Sequence, residues 1–572
     1  MSYRVREDHK LEASLPQHKP APYDLSNQTI AACVDGVTLN KLSLSGAYDA
    51  VLPGGFYGIC GERAPVDPAR ERQIIAYGRV QETRFTQDDI AYTARWALGS
   101  ERPVLFLTID AKSGSAFTLT YNFGVQCPPK RLNLLCTTSL VLREREGDYR
   151  HYTVFTDALA SGDAYCAGFS LAFDLGNTLT QDDLAQASAN AIDDADAYFS
   201  LLLSTAKCRE DAAFQAYTLN AAFSSYKSFD GFQGFFAGVN YAAPARTYYR
   251  DGYYTALAVL PYRPDWVRAQ LVTLARGIAD DGSCGSAVDA NGAPWWRDHV
   301  DSPLFFALLL YAYVANTADS GILDESQIGR KLSAILEQTI AAMDENGLIP
   351  RSPASRHDWA DNVFREGYVT YVQCLAFGAL QLGGSLLPQS ERYREAAQRI
   401  KAGVNQILWD ETLGYYVNFK SSQETETNLS IDTVFAALFD LALPDRATRM
   451  LTQMETLLET RHNTRYGEFG TMCVYPPYAC AARLVEKSAE PLRYHNGADW
   501  PYLSALYAFA KKMYGMEYRY ALTRWYERGL AQGYATPWEY DSPYYPVGGM
   551  LQGWSAFAAF VLDHDAADGF FR

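Results

Sequence analysis

Five segments of this sequence carry most of its chemistry-bearing side chains: RTYYRDGYY (246–254), PWWRDHVDSPLFF (294–306), RHDWADNVFREGY (356–368), RYHNGADWPYL (493–503) and TPWEYDSPYYPVGG (536–549). Each places acidic, aromatic, Arg, His or Asn residues immediately before an apolar run of helical period. Carboxyl groups delivered to one cavity from separate helix-start loops can divide acid–base work. Cleavage of a glycosidic bond needs such a division, with one protonated carboxyl to donate to the leaving oxygen and one ionised carboxyl to activate water or attack the anomeric carbon. Asp361 and Glu539 are the best pair. Asp361 lies two residues after Trp359, and an apolar neighbour disfavours the charged carboxylate and raises its pKa, as a general acid requires. The competing role for Asp361 is a helix N-cap, and for Glu539 a solvated loop residue held by nearby tyrosines. Arg250 with Asp251, and Arg297 with Asp298, can equally form plain ion pairs.

Composition limits the partners. The 572 residues hold 66 acidic and 50 basic side chains, a formal charge of -16 with no basic run, which excludes nucleic acid as an expected partner and disfavours an anionic polysaccharide. No stretch approaches the roughly 20 apolar residues of a membrane span, and the N-terminus has no apolar signal core, so a cytoplasmic protein is expected. Forty Tyr and ten Trp suit a pocket that packs aromatic faces on sugar rings, and core packing accounts for such a surplus equally well. Cys33, Cys60, Cys127, Cys136, Cys166, Cys208, Cys284, Cys374, Cys473 and Cys480 show no metal or redox spacing, so buried free thiols are expected. No metal or organic cofactor is called for, and no EF-hand-like run is present. Sequence alone leaves a homo-oligomer open.

Two textures position the five segments. From about residue 28 to 178 short Thr-, Val-, Tyr- and Phe-rich runs alternate between turn residues, as in QIIAYGRVQETRFTQ, IAYTARWAL and PVLFLTIDAKSG, and read as antiparallel strands. After Thr180, DDLAQASANAIDDADAYFSLLLSTAK predicts a long amphipathic helix, and about a dozen further helical patterns follow with short breaks. Many are apolar nearly all round, as the inner ring of a double-layered barrel must be. The expected fold is mainly α with β: an antiparallel β-sandwich over 1–180, a linking helix over 181–208, and an (α/α)6 toroid over 209–572.

The last three hundred or so residues resemble the (α/α)6 glycosidases related to amylo-α-1,6-glucosidase, and more distantly processing α-glucosidase and glucoamylase. DWADNVFREGYVTYVQCLAFGAL resembles the segment that carries their general acid, which implies that role for Asp361. YHNGADWPYL is the most specific match, and PWEYDSPYYPVGGMLQGWSAF resembles the segment of the base, implying Glu539. TYYRDG and HVDSPLFF are similar to the family's substrate-gripping loops and imply sugar contacts for Tyr249, Arg250, Asp251, His299 and Asp301. This sequence departs from the family's pattern with Tyr249 for Trp, His299 for Asn and Ala360 for a bulkier residue. His495 and Asn496 are further candidates for substrate hydroxyls, and a His in that place also serves as a structural hydrogen-bonding residue. Trp295, Trp296, Trp359, Trp500 and Trp538 are candidate sugar platforms, with part of them expected in the core. Arg365, a further candidate sugar contact, and Glu366 lie near enough to Asp361 to tune it or to pair with each other. Glu468 is an alternative acidic partner.

The resemblance implies an inverting hydrolase with α-glucosides favoured and carboxyls roughly 6.5–9.5 Å apart, and a closed pocket lined by Asp251, Asp301 and aromatics would imply exo action on an oligosaccharide or glycoside. A disaccharide phosphorylase is the nearest rival. A polysaccharide lyase and a non-catalytic sugar-binding relative stand further off.

Overall fold

The computed structural model describes residues 2–16, 19–44, 59–60, 71–99, 102–126, 132–147, 149–229, 231–238, 245–296, 299–352 and 358–566. The chain divides into two compact units. One comprises Met1–Asp230, Gly238–Ala245 and Glu527–Pro537, and the other comprises Gly231–Ala237, Arg246–Tyr526 and Trp538–Arg572.

The first unit is rich in antiparallel sheet. Its largest sheet runs in the order Arg4–Val5, Leu11–Pro16, Glu71–Tyr77, Val80–Gln87, Ile90–Leu98, Val104–Ser113, Ala164–Asp174 and Asn133–Cys136, with Leu159–Ser161 also on Ala164–Asp174. A second sheet joins Ser139–Glu146, Tyr149–Asp157, Thr118–Gln126 and Ile59–Cys60. Tyr121 and Phe123 of the second sheet meet Phe169 and Phe173 of the first at ring-centroid distances of 5.8 and 6.2 Å, so the aromatic residues of the alternating pattern form the layer between them. Helix α1 (Leu184–Ser204) covers the large sheet through Leu184 and Ala191, packed on Val104, Phe106 and Ala172. Helix α2 (Ala212–Ser225) is buried throughout and groups with the sheets, although its sequence opens the run of helical patterns. The strands Arg4–Val5 and Leu11–Pro16 lie in a segment whose mixed charges gave no strand signal. Residues 226–229, a continuation of the α2 pattern, instead form a strand.

Among the described residues eleven more helices start in the second unit: α3 (Tyr249–Val259), α4 (Pro264–Arg276), α5 (Ser302–Thr317), α6 (Ile328–Ala341), α7 (Thr370–Leu382), α8 (Ser390–Ile407), α9 (Phe435–Leu438), α10 (Pro444–Leu458), α11 (Pro501–Met513), α12 (Arg519–Gln532) and α13 (Phe557–Asp563). Their neighbour relations close on themselves. Helix α3 packs on α5, α5 on α7, α7 on α9 and the 3-10 turn Ile431–Val434 before it, that turn on α11, α11 on α13, and α13 back on α3. Members of this ring are apolar on every side, as in SPLFFALLLYAYVANT of α5, with Pro303 in its first turn where no N–H is needed. Helix α8, which packs on α7, buries only Tyr393, Ala396, Ala397, Ile400, Gly403 and Val404, one stripe at helical spacing. Two ring elements are shorter than their sequence patterns suggest: 431–443 gives a 3-10 turn plus one α-turn, and 549–564 becomes helical only from Gly553.

Among the described residues no helix is long and apolar enough to cross a membrane. The thiols of Cys136, Cys284, Cys374 and Cys473 are buried and free as expected, whereas Cys166, Cys208 and Cys480 are free but exposed. Cys127, Arg297 and Asp298 lie outside the described residues.

Candidate active site

The ring delivers its polar residues at the N-terminal ends of its elements. Arg250 and Asp251 begin α3, Asp301 is the residue before α5, Tyr371 is in the first turn of α7, Asp432 is in the 3-10 turn, Trp500 precedes α11, and Glu539 and Gln552 precede α13. Helix N-termini favour negative charge, which explains why carboxylates gather at this end.

Arg250 sits at the centre. Its Nη1 is 2.8 Å from Asp301 Oδ2, which also accepts a 3.0 Å hydrogen bond from the Tyr371 hydroxyl. Asp301 has no exposed surface. Burial works against its charge, but Arg250 and then His299, whose Nδ1 is 3.8 Å away, hold its carboxyl below the usual range. Asp251 has no such full partner: burial pushes its carboxyl up to about 7, opposed by Arg250 and reinforced by the nearby Glu539. Gln552 Nε2 lies 3.5 Å from its Oδ1.

Asp361 and Glu539 are held differently. The side chain of Asp361 keeps 43% of its surface open, yet protein surrounds the carboxyl closely enough that desolvation raises its pKa to about 6 against the attraction of Arg250 and His299. Both facts hold for a carboxyl that water reaches from one side only. Its Oδ1 is 3.5 Å from His495 Nδ1. Glu539 is buried, and donors meet both oxygens: Gly549 N–H on Oε2 at 3.1 Å and the Tyr494 hydroxyl on Oε1 at 3.4 Å. Gly548 makes this approach feasible, because a Cβ there would stand 2.7 Å from Glu539 Oε2.

A buried ion network carries the segment of Asp361. Asp358 pairs with Arg351 and with Arg365 (2.8 Å from Nη2), Arg365 Nη1 reaches Asp432 at 2.6 Å, and Asp432 accepts from Trp359 Nε1 at 2.5 Å. Asp358 is thereby held far below the ordinary carboxylate range: burial opposes its charge, and Arg365 and Arg351 outweigh it. The turn that presents Asp361 is anchored at the residues just before it.

Several expected sugar contacts have other occupations. The Tyr249 hydroxyl donates to the Leu274 carbonyl at 2.7 Å inside the core, so Tyr249 serves packing. Arg365 has no exposed surface and belongs to the ion network rather than pairing with Glu366, which instead meets Arg483 at 3.0 Å. Asn496 is a loop staple, accepting from Tyr478 N–H at 2.6 Å and donating to the Ser488 carbonyl at 3.0 Å. Trp359, Trp500 and Trp538 are buried, the first two enclosing the His495 ring. Trp296 is the exposed tryptophan, 52% open and stacked on Tyr248 at 5.9 Å, with Trp295 half-buried beside it. Glu468 stands apart from the cluster, 3.1 Å from Arg524. Tyr494, Asp358, Asp432, Tyr371 and Gln552 were not singled out in the sequence, although all but Asp432 lie inside the quoted motifs. A cavity of about 570 Å³ lined by Cys284, Val300, Leu304 and Thr339 adjoins His299, but Asp361, Glu539 and Asp251 do not line it.

In fold, the chain is similar to a bacterial glucoamylase complexed with acarbose, at 11% identity and a TM-score of 0.56 over 97% of this chain and 98% of that one. Weaker likenesses are to a rhamnosidase from Klebsiella oxytoca with rhamnose bound (14% identity, TM-score 0.47, 95% of each chain) and a GH78 rhamnosidase of Bacillus sp. GL1 (15%, 0.48, 82% of this chain and 47% of that). No curated protein sequence matches. In sequence, a family model matches residues 256–561, and through it the chain is of the glycoside hydrolase-like class. The family to which the chain belongs is amylo-alpha-1,6-glucosidase.

Proposed function

We propose that the protein is an inverting, exo-acting glycoside hydrolase that removes a terminal sugar, α-linked glucose by preference, from oligosaccharides or glycosides, and that its helices form an (α/α)6 toroid. The closed neighbour order from α3 round to α13 supports the toroid. The observation that carries the mechanism is the contrast between two carboxyls in one cluster: Asp361 desolvated and raised to about 6, Glu539 met by two donors. A group poised near 6 holds a proton to give on the acidic side of neutrality, and a carboxylate that accepts two hydrogen bonds is placed to take one from water.

In the reaction, water attacks the anomeric carbon and passes its proton to Glu539, while the bond to the leaving oxygen breaks and that oxygen takes the proton of Asp361. Solvent then restores both groups. A separation of roughly 6.5–9.5 Å leaves room for the water. Asp251 and Arg250 grip hydroxyls of the terminal sugar, and Trp296 offers an aromatic face to its neighbour.

The test is a proton NMR time course with α- and β-linked disaccharides, run on the native protein and on Glu539→Gln. Release of the inverted anomer by the native protein alone is expected. Turnover that depends on inorganic phosphate, retention of configuration, or an active Glu539→Gln overturns the assignment.

A further inference from the structure

His495 and Tyr494 are consecutive, and each touches one of the two carboxyls. The backbone N–H of Asn362 points at His495 Nδ1 from 3.4 Å, and an N–H can only donate. Nδ1 is therefore the lone-pair nitrogen of a neutral ring and the ring proton is on Nε2. The same Nδ1 faces Asp361 Oδ1 at 3.5 Å. Opposite an ionised Asp361 this places lone pair against lone pair; opposite a protonated Asp361 it completes an O–H···N hydrogen bond. The ring is fixed there by stacking on Trp500 (4.9 Å, 20°) and by the edge of Trp359 (5.1 Å, 79°). Burial, with Arg250, Arg365 and Lys487 nearby, holds His495 well below its ordinary pKa, although Asp358 pulls the other way, so the ring does not turn into a cation that would favour the carboxylate.

Tyr494 supplies the opposite chemistry, a hydroxyl on Glu539 Oε1. Its backbone is in the left-handed region (φ 53°), as is that of Leu492 (φ 62°). A non-glycine residue held there costs about 1–3 kcal/mol, and such residues concentrate where side-chain direction is functional. The left-handed turn sends two neighbouring side chains to two different carboxyls.

We infer that the Tyr494–His495 dipeptide sets the two carboxyls in opposite protonation states: the His495 lone pair keeps Asp361 protonated, and the Tyr494 hydroxyl keeps Glu539 ionised. Both are positioning residues, and their roles as acid- and base-setters rest on the hydrolase mechanism. Other groups act on the same carboxyls. Arg250 and His299 favour the charged form of Asp361, Asp358 and Glu486 disfavour it, and Asp251 faces Glu539. The dipeptide adds the contact that distinguishes the two.

The experiment reads Asp361 directly, as the infrared C=O band of its protonated carboxyl, isolated by subtracting the spectrum of Asp361→Asn at each pH. The native midpoint is expected at about 6. In His495→Ala it falls by about one pH unit or more as water replaces the ring. In His495→Asn, which restores an acceptor near the Nδ1 position, it returns toward the native value. Should His495→Ala not fold, the comparison is His495→Asn with His495→Gln, whose amide reaches the Nε2 end and leaves Nδ1 unreplaced; the first keeps the midpoint and the second loses it. In Tyr494→Phe the Asp361 band is unmoved while the acidic limb of kcat/KM shifts to higher pH. A midpoint that stays or rises in His495→Ala, or an asparagine variant no different from alanine, overturns the inference. The band needs no turnover. A protein that titrates as described but cleaves no glycoside therefore refutes the hydrolase and its acid–base roles while the His495–Asp361 contact stands, and one that cleaves glycosides with an unmoved midpoint does the reverse.

Discussion

Replacing Arg365 by methionine tests the ion network beneath the acid. Methionine matches the length of the arginine stem but supplies no donor, so contacts to Asp358 at 2.8 and 3.2 Å, to Asp432 at 2.6 Å and to Asn418 at 3.2 Å are lost at a position with no exposed side-chain surface. Asp358 keeps Arg351 and the Ala360 N–H, while Asp432 keeps the Trp359 indole. Removing one partner of a buried pair costs about 3–5 kcal/mol, here because Asp432 is left buried without its guanidinium while Asp358 keeps one of its two. With an unfolding entropy of about 2.1 cal/mol/K per residue and a cooperative unit of about 300 residues, that is a fall in Tm of roughly 5–8 °C. The sign with pH follows from Asp358. Its folded pKa is depressed, so its stabilisation is present above the unfolded value of about 3.9 and fades as pH falls through the depressed folded value. The variant lacks most of that term, so its deficit in scanning calorimetry is largest at pH 7 and shrinks on acidification below about pH 4. Because Asp358 anchors the turn holding Asp361, kcat falls more than KM rises. A loss below about 1 kcal/mol at pH 7, or a deficit that ignores pH, refutes the claim that the network holds the acid's segment.

The remaining predictions concern the carboxyls and their surroundings. With the acid near 6, kcat/KM of the native protein falls tenfold per pH unit above about 6, and Asp361→Asn lowers kcat by about 10²–10⁴ in a disaccharide assay. Asp361 binds its proton more tightly in the folded state. Its stability contribution is therefore full below the ordinary carboxyl pKa and is lost as pH rises through about 6, so Asp361→Asn melts higher than native protein at pH 8 but not at pH 4. Gly548→Ala puts a Cβ 2.6 Å from Glu539 Cβ and Tyr540 Cδ1 and 2.7 Å from Glu539 Oε2, so kcat drops about 10²-fold through displacement of Glu539, and Tm falls with it because the loop must shift. Tyr249→Phe removes one of two hydrogen bonds on the Leu274 carbonyl, which keeps the Gly277 N–H at 3.0 Å, lowering stability by about 0.5–1.5 kcal/mol in urea titrations with KM unchanged; a raised KM would restore Tyr249 to the sugar site.

Much of the secondary structure was legible because period and length agreed. IAYTARWAL became the strand Ile90–Leu98 and SPLFFALLLYAYVANTA the helix Ser302–Thr317. Misreadings fell where local pattern met a tertiary demand. YKSF continued a helical stripe yet forms a strand, and Leu11–Pro16 showed no alternation because the sheet buries Leu11, Glu12 and Ala13 in succession. The five loops were recognisable by composition, but whether a loop aromatic faces outward or into the core depends on one turn of backbone. Tyr249, Trp359, Trp500 and Trp538 turned inward and Trp296 outward. Arg365 could not be told from a sugar-binding arginine, since its partners Asp358 and Asp432 are 7 and 67 residues away. Tyr494 was legible only as the neighbour of His495.

The ring order of the second unit has a price in chain entropy. The contacts that join its first and last members, Gln552 to Asp251 and Tyr262 to Asp563, each span 301 residues of sequence. A loop of that length is costly to close and slow to find, though each further doubling adds only about 0.6 kcal/mol. Glu539 is carried on the segment that performs this closure. A chain that has folded α3 through α11 thus has Asp361 and its anchors in place but lacks a base, and gain of activity is expected to lag behind gain of helix during refolding. Turnover in this molecule measures whether the circle has been completed, a quantity that circular dichroism does not see.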